Sequence, residues 1–416
     1  MHSELTEPND ARSCVIVVEN LPVPFDRRVW QEARALRDSG WKVSVICPVS
    51  ERYSERYEVL EDIAIYRHPL PFEAHGKLAF LFEYLNALFH EGRLLMKVAF
   101  TRGFDVIQVC NPPDVLFLNA LPYKLFGKRL VFDHHDLCPE LFVAKFGRKG
   151  FFHRLLLAAE RLTMACADLV ISANETYRRV AIERCGKKPE DVVTVYSVPE
   201  QARMRRTAPN EALRNDARIV LGYVGVIGQQ DGVDHFVRML HYLRKDRGRD
   251  DVAGVVVGDG PALGASRDLA RDLGLNDSIA FTGYLQGEDL LAAMSTFDIG
   301  IIPDPVNEYN DKISMNKVFE YSALGVPSIS YDLSETRQLL GAAGQYAGDA
   351  TPEGLARAAL VLIEDDTLRI ERGRAAKALA DEKFDWKRER AKYLAAYERL
   401  APLDSAVVLQ KRSKEV

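Results

Sequence analysis

"RIVLGYVGVIGQQDGVDHF", residues 218–236, runs from an apolar, strand-like stretch through Gly225, Gly228 and Gly232 into a helical pattern. A near-continuous Val/Ile/Leu run of this kind suits a parallel strand buried on both faces. Glycines at the junction let backbone amides approach a phosphate at the positive end of the next helix, and they serve a tight strand-to-helix turn equally well. The segment matters because it restarts a theme already laid out upstream. Strand candidates at 14–20, 42–48, 105–110, 129–136, 168–174 and 192–198 alternate with helical patterns such as 26–40. In that helix Val29, Ala33 and Leu36 share one face and Gly40 marks the stop. Around 200–216 the pattern lapses into the polar "EQARMRRTAPNEALRND", read as a linker. Beyond it, strands at 218–225, 252–260, 279–284, 297–303 and 325–331 alternate with helices at 233–246, 262–273, 288–296, 315–324 and 353–363.

Such alternation on both sides of a linker predicts an α/β protein of two doubly wound, Rossmann-like domains. The expected bounds are 1–200 and 201–384. An amphipathic tail, 385–416, is expected to pack back on the first domain through Trp386, Tyr393, Leu394 and Tyr397, with its last dozen residues frayed. In open α/β sheets ligands bind beyond the carboxyl ends of the strands, so both domains are expected to present loops to a shared cleft.

A length of 416 residues suits two domains, and a hydrophobic fraction of 47% is ordinary for a globular chain. The formal net charge of −5 lacks the basic footprint of a nucleic-acid binder, so an anionic ligand must be held by local cations or backbone amides. The six cysteines are scattered and form no CxxC pair, which suggests unpaired thiols in a reducing compartment. The polar start "MHSELTEPNDARS" is unlike a signal peptide, and no apolar run reaches the about 18 residues of a membrane span. A cytoplasmic location is expected.

Two motifs carry candidate chemistry. "DHHDLCPE" (133–140) ends a strand with two histidines beside two aspartates. Histidine suits proton handling near neutral pH, and metal is disfavoured because no second histidine cluster accompanies it. "DKISMNKVFEYSALGVPSIS" (311–330) approaches a helix through Asp311, Lys312, Ser314, Met315 and Asn316. Free amides from Ser314 to Lys317 can bind a diphosphate, Lys312 and Lys317 add charge, and Glu320, one turn further in, can accept hydrogen bonds from sugar hydroxyls. The competing reading is a solvated surface helix. Neither glycine turn, 222–232 or 254–261, matches G-x-G-x-x-G, which argues against a nicotinamide enzyme.

From about residue 13 to 397 the chain resembles family 4 of the retaining glycosyltransferases, whose fold is GT-B. The resemblance rests on "FDRRVWQEARALRDSGWKVSVICP", "FDHHDLCPE", "YVGVIGQQDGVD", "VVVGDGP", "IAFTGY" and above all "NKVFEYSALGVPSIS". The last resembles the signature Glu-x-x-Ala-x-Gly-x-Pro, here Glu320, Ala323, Gly325 and Pro327. The resemblance implies that Glu320 holds the ribose of a nucleoside-diphosphate sugar and that His135 and Asp136 touch the donor sugar near the reacting carbon. It also places Tyr284 and Leu285 against the base, and adds Gly228, Gln229 and Asp259 to the donor-binding set. His135, Asp136, Glu320 and Lys317 are the implied catalytic residues. Members of that family often carry a second Glu eight positions before the signature one, where this chain has Lys312. Many also carry an Arg and a Lys where this chain has Val226 and Asp231, so the diphosphate charge is expected from Lys317 and Lys312.

The resemblance thus implies metal-independent, cofactor-free transfer of a sugar with retention of configuration, in cell-surface polysaccharide or glycoconjugate synthesis. A GT-B sugar-nucleotide epimerase and a non-catalytic nucleotide-sugar-binding protein are the alternatives. The aromatic stretch 76–100 and the basic, Phe-rich 145–157 suggest peripheral membrane contact and a glycan or polyprenyl-diphosphate-linked acceptor, although at least half of those apolar residues are expected to pack on the sheet.

Overall fold

The computed structural model describes residues 11–69 and 77–402, with side chains left aside over 77–84. The polar start at 1–10, the beginning of the aromatic stretch and the last dozen residues lie outside the described residues. The described chain forms two compact units. The first holds the chain up to Val143, Arg148–Val195 and the chain from Arg390; the second holds Ala144–Gly147 and Tyr196–Glu389.

The first unit is built from β1 (Ser13–Val18), α1 (Arg27–Asp38), β2 (Lys42–Pro48), β3 (Tyr57–Leu60), β4 (Ile63–His68), α2 (Lys77–Thr101) and β5 (Val106–Cys110). There follow α3 (Phe117–Lys124), β6 (Arg129–His134), α4 (Cys138–Phe146), α5 (Phe151–Cys166), β7 (Leu169–Ser172), α6 (Glu175–Arg179) and β8 (Val192–Thr194). The sheet order is β3-β4-β2-β1-β5-β6-β7-β8, parallel except where β3 pairs antiparallel with β4. This edge hairpin, absent from the sequence reading, turns through Glu61 and Asp62, both in the left-handed region. On one face α2, α3 and α5 cover the sheet, with Leu94, Leu95, Val98, Phe117 and Met164 packed on Val15, Ile107 and Phe132.

The second unit opens with α7 (Glu211–Arg214) inside the expected linker, then β9 (Ile219–Val224), α8 (Val233–His241), β10 (Val252–Val257), α9 (Leu263–Asp272) and β11 (Ile279–Gly283). It continues with α10 (Gly287–Ser295), β12 (Ile299–Ile302), α11 (Asn316–Leu324), β13 (Ser328–Ser330), α12 (Ser334–Leu340) and β14 (Gln345–Tyr346). It closes with α13 (Pro352–Glu364), α14 (Asp366–Lys383) and the start of α15 (Trp386–Leu400). The sheet is wholly parallel, in the order β11-β10-β9-β12-β13-β14. Helix α14 was not foreseen, because its charged sequence has no clear apolar face; it buries only Gly373, Ala376 and Ala380.

The strand order reverses between β1 and β5 in one sheet and between β9 and β12 in the other, the switch points where loops diverge and open a ligand crevice. Helix α15 leaves the second unit at Glu389, and from Arg390 it packs on the first. There Tyr393 and Tyr397, both fully buried, donate to Gln108 Oε1 at 2.9 and 2.5 Å, and Trp41 meets the Tyr397 ring edge-on at 5.4 Å. The six thiols are unpaired. Among the described residues no helix is long and apolar enough to cross a membrane.

Candidate active site

In the second unit the helix of the signature motif is an interior element. Every residue of α11 from Lys317 to Leu324 is buried, which rules out the solvated-helix reading. Its position follows from glycines in the sheet beneath it. A Cβ at Gly300 would lie 2.5 Å from the Tyr321 ring, so only glycine lets that ring cross the strand. The Tyr321 hydroxyl then accepts from Val224 N at 3.1 Å and lies 3.1 Å from Gly222 O, tying α11 to β9. Gly325, at φ +63°, ends the helix in the left-handed conformation that most side chains avoid.

This packing puts Lys317 at the switch point. Its Nζ lies 2.8 and 3.1 Å from the two oxygens of Asp304, just beyond β12, and 4.9 Å from the centre of the Tyr223 ring. Burial pushes the Asp304 carboxyl up, and Lys317 opposes that shift. Lys312 Nζ is 3.3 Å from Glu308. Each of the two lysines expected to meet the diphosphate thus has a carboxylate beside it. Glu320 is 6% exposed, one turn beyond Lys317.

Other residues of the expected donor set hold loops. Asp311 accepts from Ser334 N at 2.7 Å, and Ser314 Oγ donates to Glu335 at 2.8 Å. Met315 is the buried residue before α11 and Asn316 its exposed first residue. The Gly228 amide, expected to face a phosphate, donates to Asp231 at 2.8 Å, so this acid clasps the turn. Gln229 is exposed beside it. The two glycine turns also cross. A Cβ at Gly258 would meet Gly225 O at 1.8 Å and one at Gly260 would meet Ile227 O at 2.6 Å, a close approach that explains these glycines without a ligand. Asp259 accepts from Gly260 N at 2.7 Å. Tyr284, exposed, and Leu285, half-buried, follow β11 at the sheet edge.

In the first unit "DHHD" ends β6, and its side chains alternate. His134 turns inward, between Phe132 and Tyr177 at ring separations of 5.4 and 5.1 Å, with neither nitrogen hydrogen-bonded. Burial, then Arg184 and His135, push its pKa down to about 3, so it is neutral. His135 lies on the other side with Nε2 2.5 Å from Asp133. Burial alone would raise Asp133, but Arg28 and His135 outweigh it and hold the carboxyl well below the usual range. Arg28 donates to Asp133 at 2.7 Å and to Val195 O at 2.7 Å. The chain turn at His135 and Asp136 hangs on one side chain from the end of β5. Asn111 Oδ1 accepts from His135 N at 2.6 Å and Asp136 N at 3.2 Å, while Nδ2 donates to Asp136 O at 2.6 Å and to Asp114 at 2.8 Å.

Sequence reasoning missed Arg28, Glu32, Gln108, Asn111 and Asp304. A signal existed for the first two: Arg28 and Glu32 sit on the helical stripe of Val29, Ala33 and Leu36, and a charge at a core-facing position needs a buried partner. Glu32 accepts from Gln108 Nε2 at 2.6 Å. Cys110, Asp133 and His135 bring three potential metal-ligand atoms within 4.8 Å of one another. The donor set fits a cation poorly, since Arg28 already neutralises Asp133 and burial pushes the Cys110 thiol up. His135 and Asp136 thus belong to the first unit, and Lys317 and Glu320 to the second.

Two Rossmann-like units in one chain make a GT-B fold, and two glycosyltransferase family models matched in tandem make the chain a glycosyltransferase. Residues 26–197 match the glycosyltransferase family 4 model, and residues 218–365 match that of the glycosyl transferases group 1. The chain is 27% identical to the 2-deoxystreptamine glucosyltransferase of Streptomyces kanamyceticus over 60% of this chain and 65% of that protein, just under two thirds of its length. It is 25% identical to an uncharacterized glycosyltransferase of Methanocaldococcus jannaschii over 87% of this chain and 91% of that one. Among solved structures, sucrose-phosphate synthase of Thermosynechococcus elongatus superposes with a TM-score of 0.73 at 15% identity, covering 94% of this chain and 99% of that one. HepE of Anabaena, solved with UDP and glucose, gives 0.72 at 17% identity over 93% of this chain and 100% of its own.

Proposed function

We propose that this glycosyltransferase moves a hexose from a nucleoside-diphosphate sugar to an acceptor hydroxyl with retention of configuration and without a metal. The observation that carries the reading is Glu320, a carboxylate 6% exposed on a helix anchored at the sheet's switch point. A carboxylate there can accept charge-assisted hydrogen bonds from the paired hydroxyls of a ribose. The α11 amides and Lys317 would stabilise the departing diphosphate, electrostatic work that is usually the largest catalytic contribution. On this reading Asp304 holds the ammonium in place until the donor arrives. His135, oriented by Asp133 through Nε2, would present its other nitrogen to the donor sugar, beside Asp136. HepE, solved with UDP-glucose, and a trehalose-6-phosphate protein solved with UDP-2-fluoro glucose support a donor of this class.

The acceptor we propose is a glycan carried on a polyprenyl diphosphate, in surface-glycan synthesis on the cytoplasmic side of a membrane. Support comes from similarity to a chitobiosyldiphosphodolichol beta-mannosyltransferase of Candida glabrata, 26% identical over 41% of this chain and 39% of that protein, and from structural likeness to WaaG, a glycosyltransferase of lipopolysaccharide biosynthesis. Unpaired thiols suit the reducing compartment. The test is thermal stabilisation by a panel of nucleoside diphosphates and their sugars, followed by NMR of the product's anomeric proton. An inverted anomer removes retention from the reading, and no stabilisation by any nucleoside diphosphate removes the donor class.

A further inference from the structure

The helices on one face of the first unit's sheet carry large apolar side chains outward as well as inward. On α2 the exposed side chains Leu85, Phe89, Met96 and Phe100 follow one another at intervals of four and seven residues, a single stripe along the helix, with Phe100 at 90% exposure. The opposite face of α2 already supplies the core with Leu94, Leu95 and Val98, so the outward stripe is additional apolar surface. On α5 the exposed stripe is Phe151, Leu155 and Leu162, again at four and seven, while Thr163 and Met164 face inward. Helix α3 packs between these two helices. It presents Leu118, and the turn that ends it presents Leu125 and Phe126 at 87% and 80% exposure. Large apolar side chains thus stand exposed on three neighbouring helices, the kind of surface that marks an interaction site.

The charges on the same helices choose the partner. Among the described side chains of α2 and α5 the acids are Glu91 and Glu160, both fully buried. The exposed charges there are all basic: Arg93 and Lys97 on α2, Arg154 and Arg161 on α5. This arises on a chain whose net charge is −5, so the basic face is local and runs against the whole. Two copies meeting through the patch would bring like charges together, which disfavours self-association. Cationic and aromatic side chains interleaved on the outward faces of helices complement an anionic lipid surface, where the rings enter the headgroup boundary and the cations meet phosphates.

We infer that the outer faces of α2, α3 and α5 form a docking surface for an anionic bilayer. This inference deepens the proposed lipid-linked acceptor and rests on that reading for its biological setting, while its observations come from this surface and not from the donor site. Contact is peripheral: about 1 kcal/mol for each basic residue adds to the insertion of apolar side chains. Flotation of the full chain with vesicles of phosphatidylcholine and phosphatidylglycerol, and with phosphatidylcholine alone, tests it. The protein is expected to float with the mixed vesicles at low salt, to be released at high salt, and not to float with phosphatidylcholine alone. Arg154→Gln with Arg161→Gln should weaken partitioning roughly 25-fold, about fivefold for each charge removed. Phe100→Ser with Phe126→Ser should also weaken it, with the charge unchanged. These residues are exposed, so circular dichroism and any stabilisation by nucleoside diphosphates should match the parent chain; an intact nucleotide response with lost flotation separates this surface from the donor reading. Absence of flotation, equal flotation with both vesicles, or full flotation of the arginine variant would each overturn the inference. So would a concentration-dependent dimer that Phe126→Ser abolishes, because the patch would then be an interface between copies.

Discussion

Buried beside Asp304, the Lys317 ammonium has exchanged water for one carboxylate and the face of Tyr223. Such a pair is costly to halve, since the survivor stays desolvated without compensation. Lys317→Ala is therefore expected to destabilise the fold by ~3–5 kcal/mol, and Lys317→Met with Asp304→Leu to recover most of that loss. Urea unfolding of both variants checks this; a single mutant as stable as the parent would show that the pair is solvated. Glu320 is expected to act on ligand instead. Glu320→Gln keeps the shape and loses charge-assisted acceptance, so nucleoside-diphosphate-sugar binding should weaken by ~1.5–3 kcal/mol with little change in unfolding midpoint. Calorimetric titration with the donor would discard the assignment if the two proteins bound it equally.

At the scale of elements, the end of β6 and the start of α11 are held by very different means. The His135–Asp136 turn hangs on Asn111, whose side chain makes hydrogen bonds to both residues, and the His135 ring is fixed by an Asp133 that Arg28 keeps ionised. A residue so held suits a role in the chemical step. His135→Ala should lower kcat and kcat/KM together while donor affinity holds. A raised KM with unchanged kcat would make it a binding residue. Helix α11, in contrast, is held by shape: Tyr321 lies over Gly300, and Gly325 turns the chain. Both elements could be read from the sequence, because strand-end polar residues and a helix ending in Gly-x-Pro are local patterns. Their supports could not. Asn111 lies 24 residues from His135, and Asp304 lies 13 from Lys317 in a loop with no motif of its own.

Over the whole molecule, buried titratable groups set the response to acid. His134 has a folded pKa of about 3, against an ordinary value of 6.5. Between those values the unfolded chain binds a proton that the folded chain refuses, so this residue's contribution to stability falls as pH drops from 6.5 toward 3. Asp114, pushed up to about 7, first by burial and then by Glu160, acts with the opposite sign above 3.8, so the histidine is visible only by difference. His134→Phe, which suits the gap between Phe132 and Tyr177, should remove a slope of about 1.4 kcal/mol per pH unit. Denaturant titrations of parent and variant at pH 6.5 and 5 measure it; parallel pH dependences would mean that His134 protonates in the folded protein.

Local pattern reached far in this chain. Apolar runs separated by helical periodicity were enough to predict two Rossmann-like units, and the strand ends carried the candidate residues. The edge hairpin β3–β4 escaped because no alternation marked it, and α14 because its buried side is made of Gly and Ala. Tertiary structure decided what each charge faces. The Gly225–Gly228 turn resembled a phosphate cradle in sequence, yet in the fold it interlocks with Gly258 and Gly260, and Asp231 takes the Gly228 amide. Lys317 read as a cation for a diphosphate and is buried beside a carboxylate; Phe151 and Phe100 fall in stretches read as suited to a membrane surface and face outward, as does Phe126, which no pattern marked. The physical reason is the same in each case. Whether a strand or helix forms depends on side chains a few positions apart, whereas the field and solvent at a side chain depend on groups that folding brings from elsewhere in the chain.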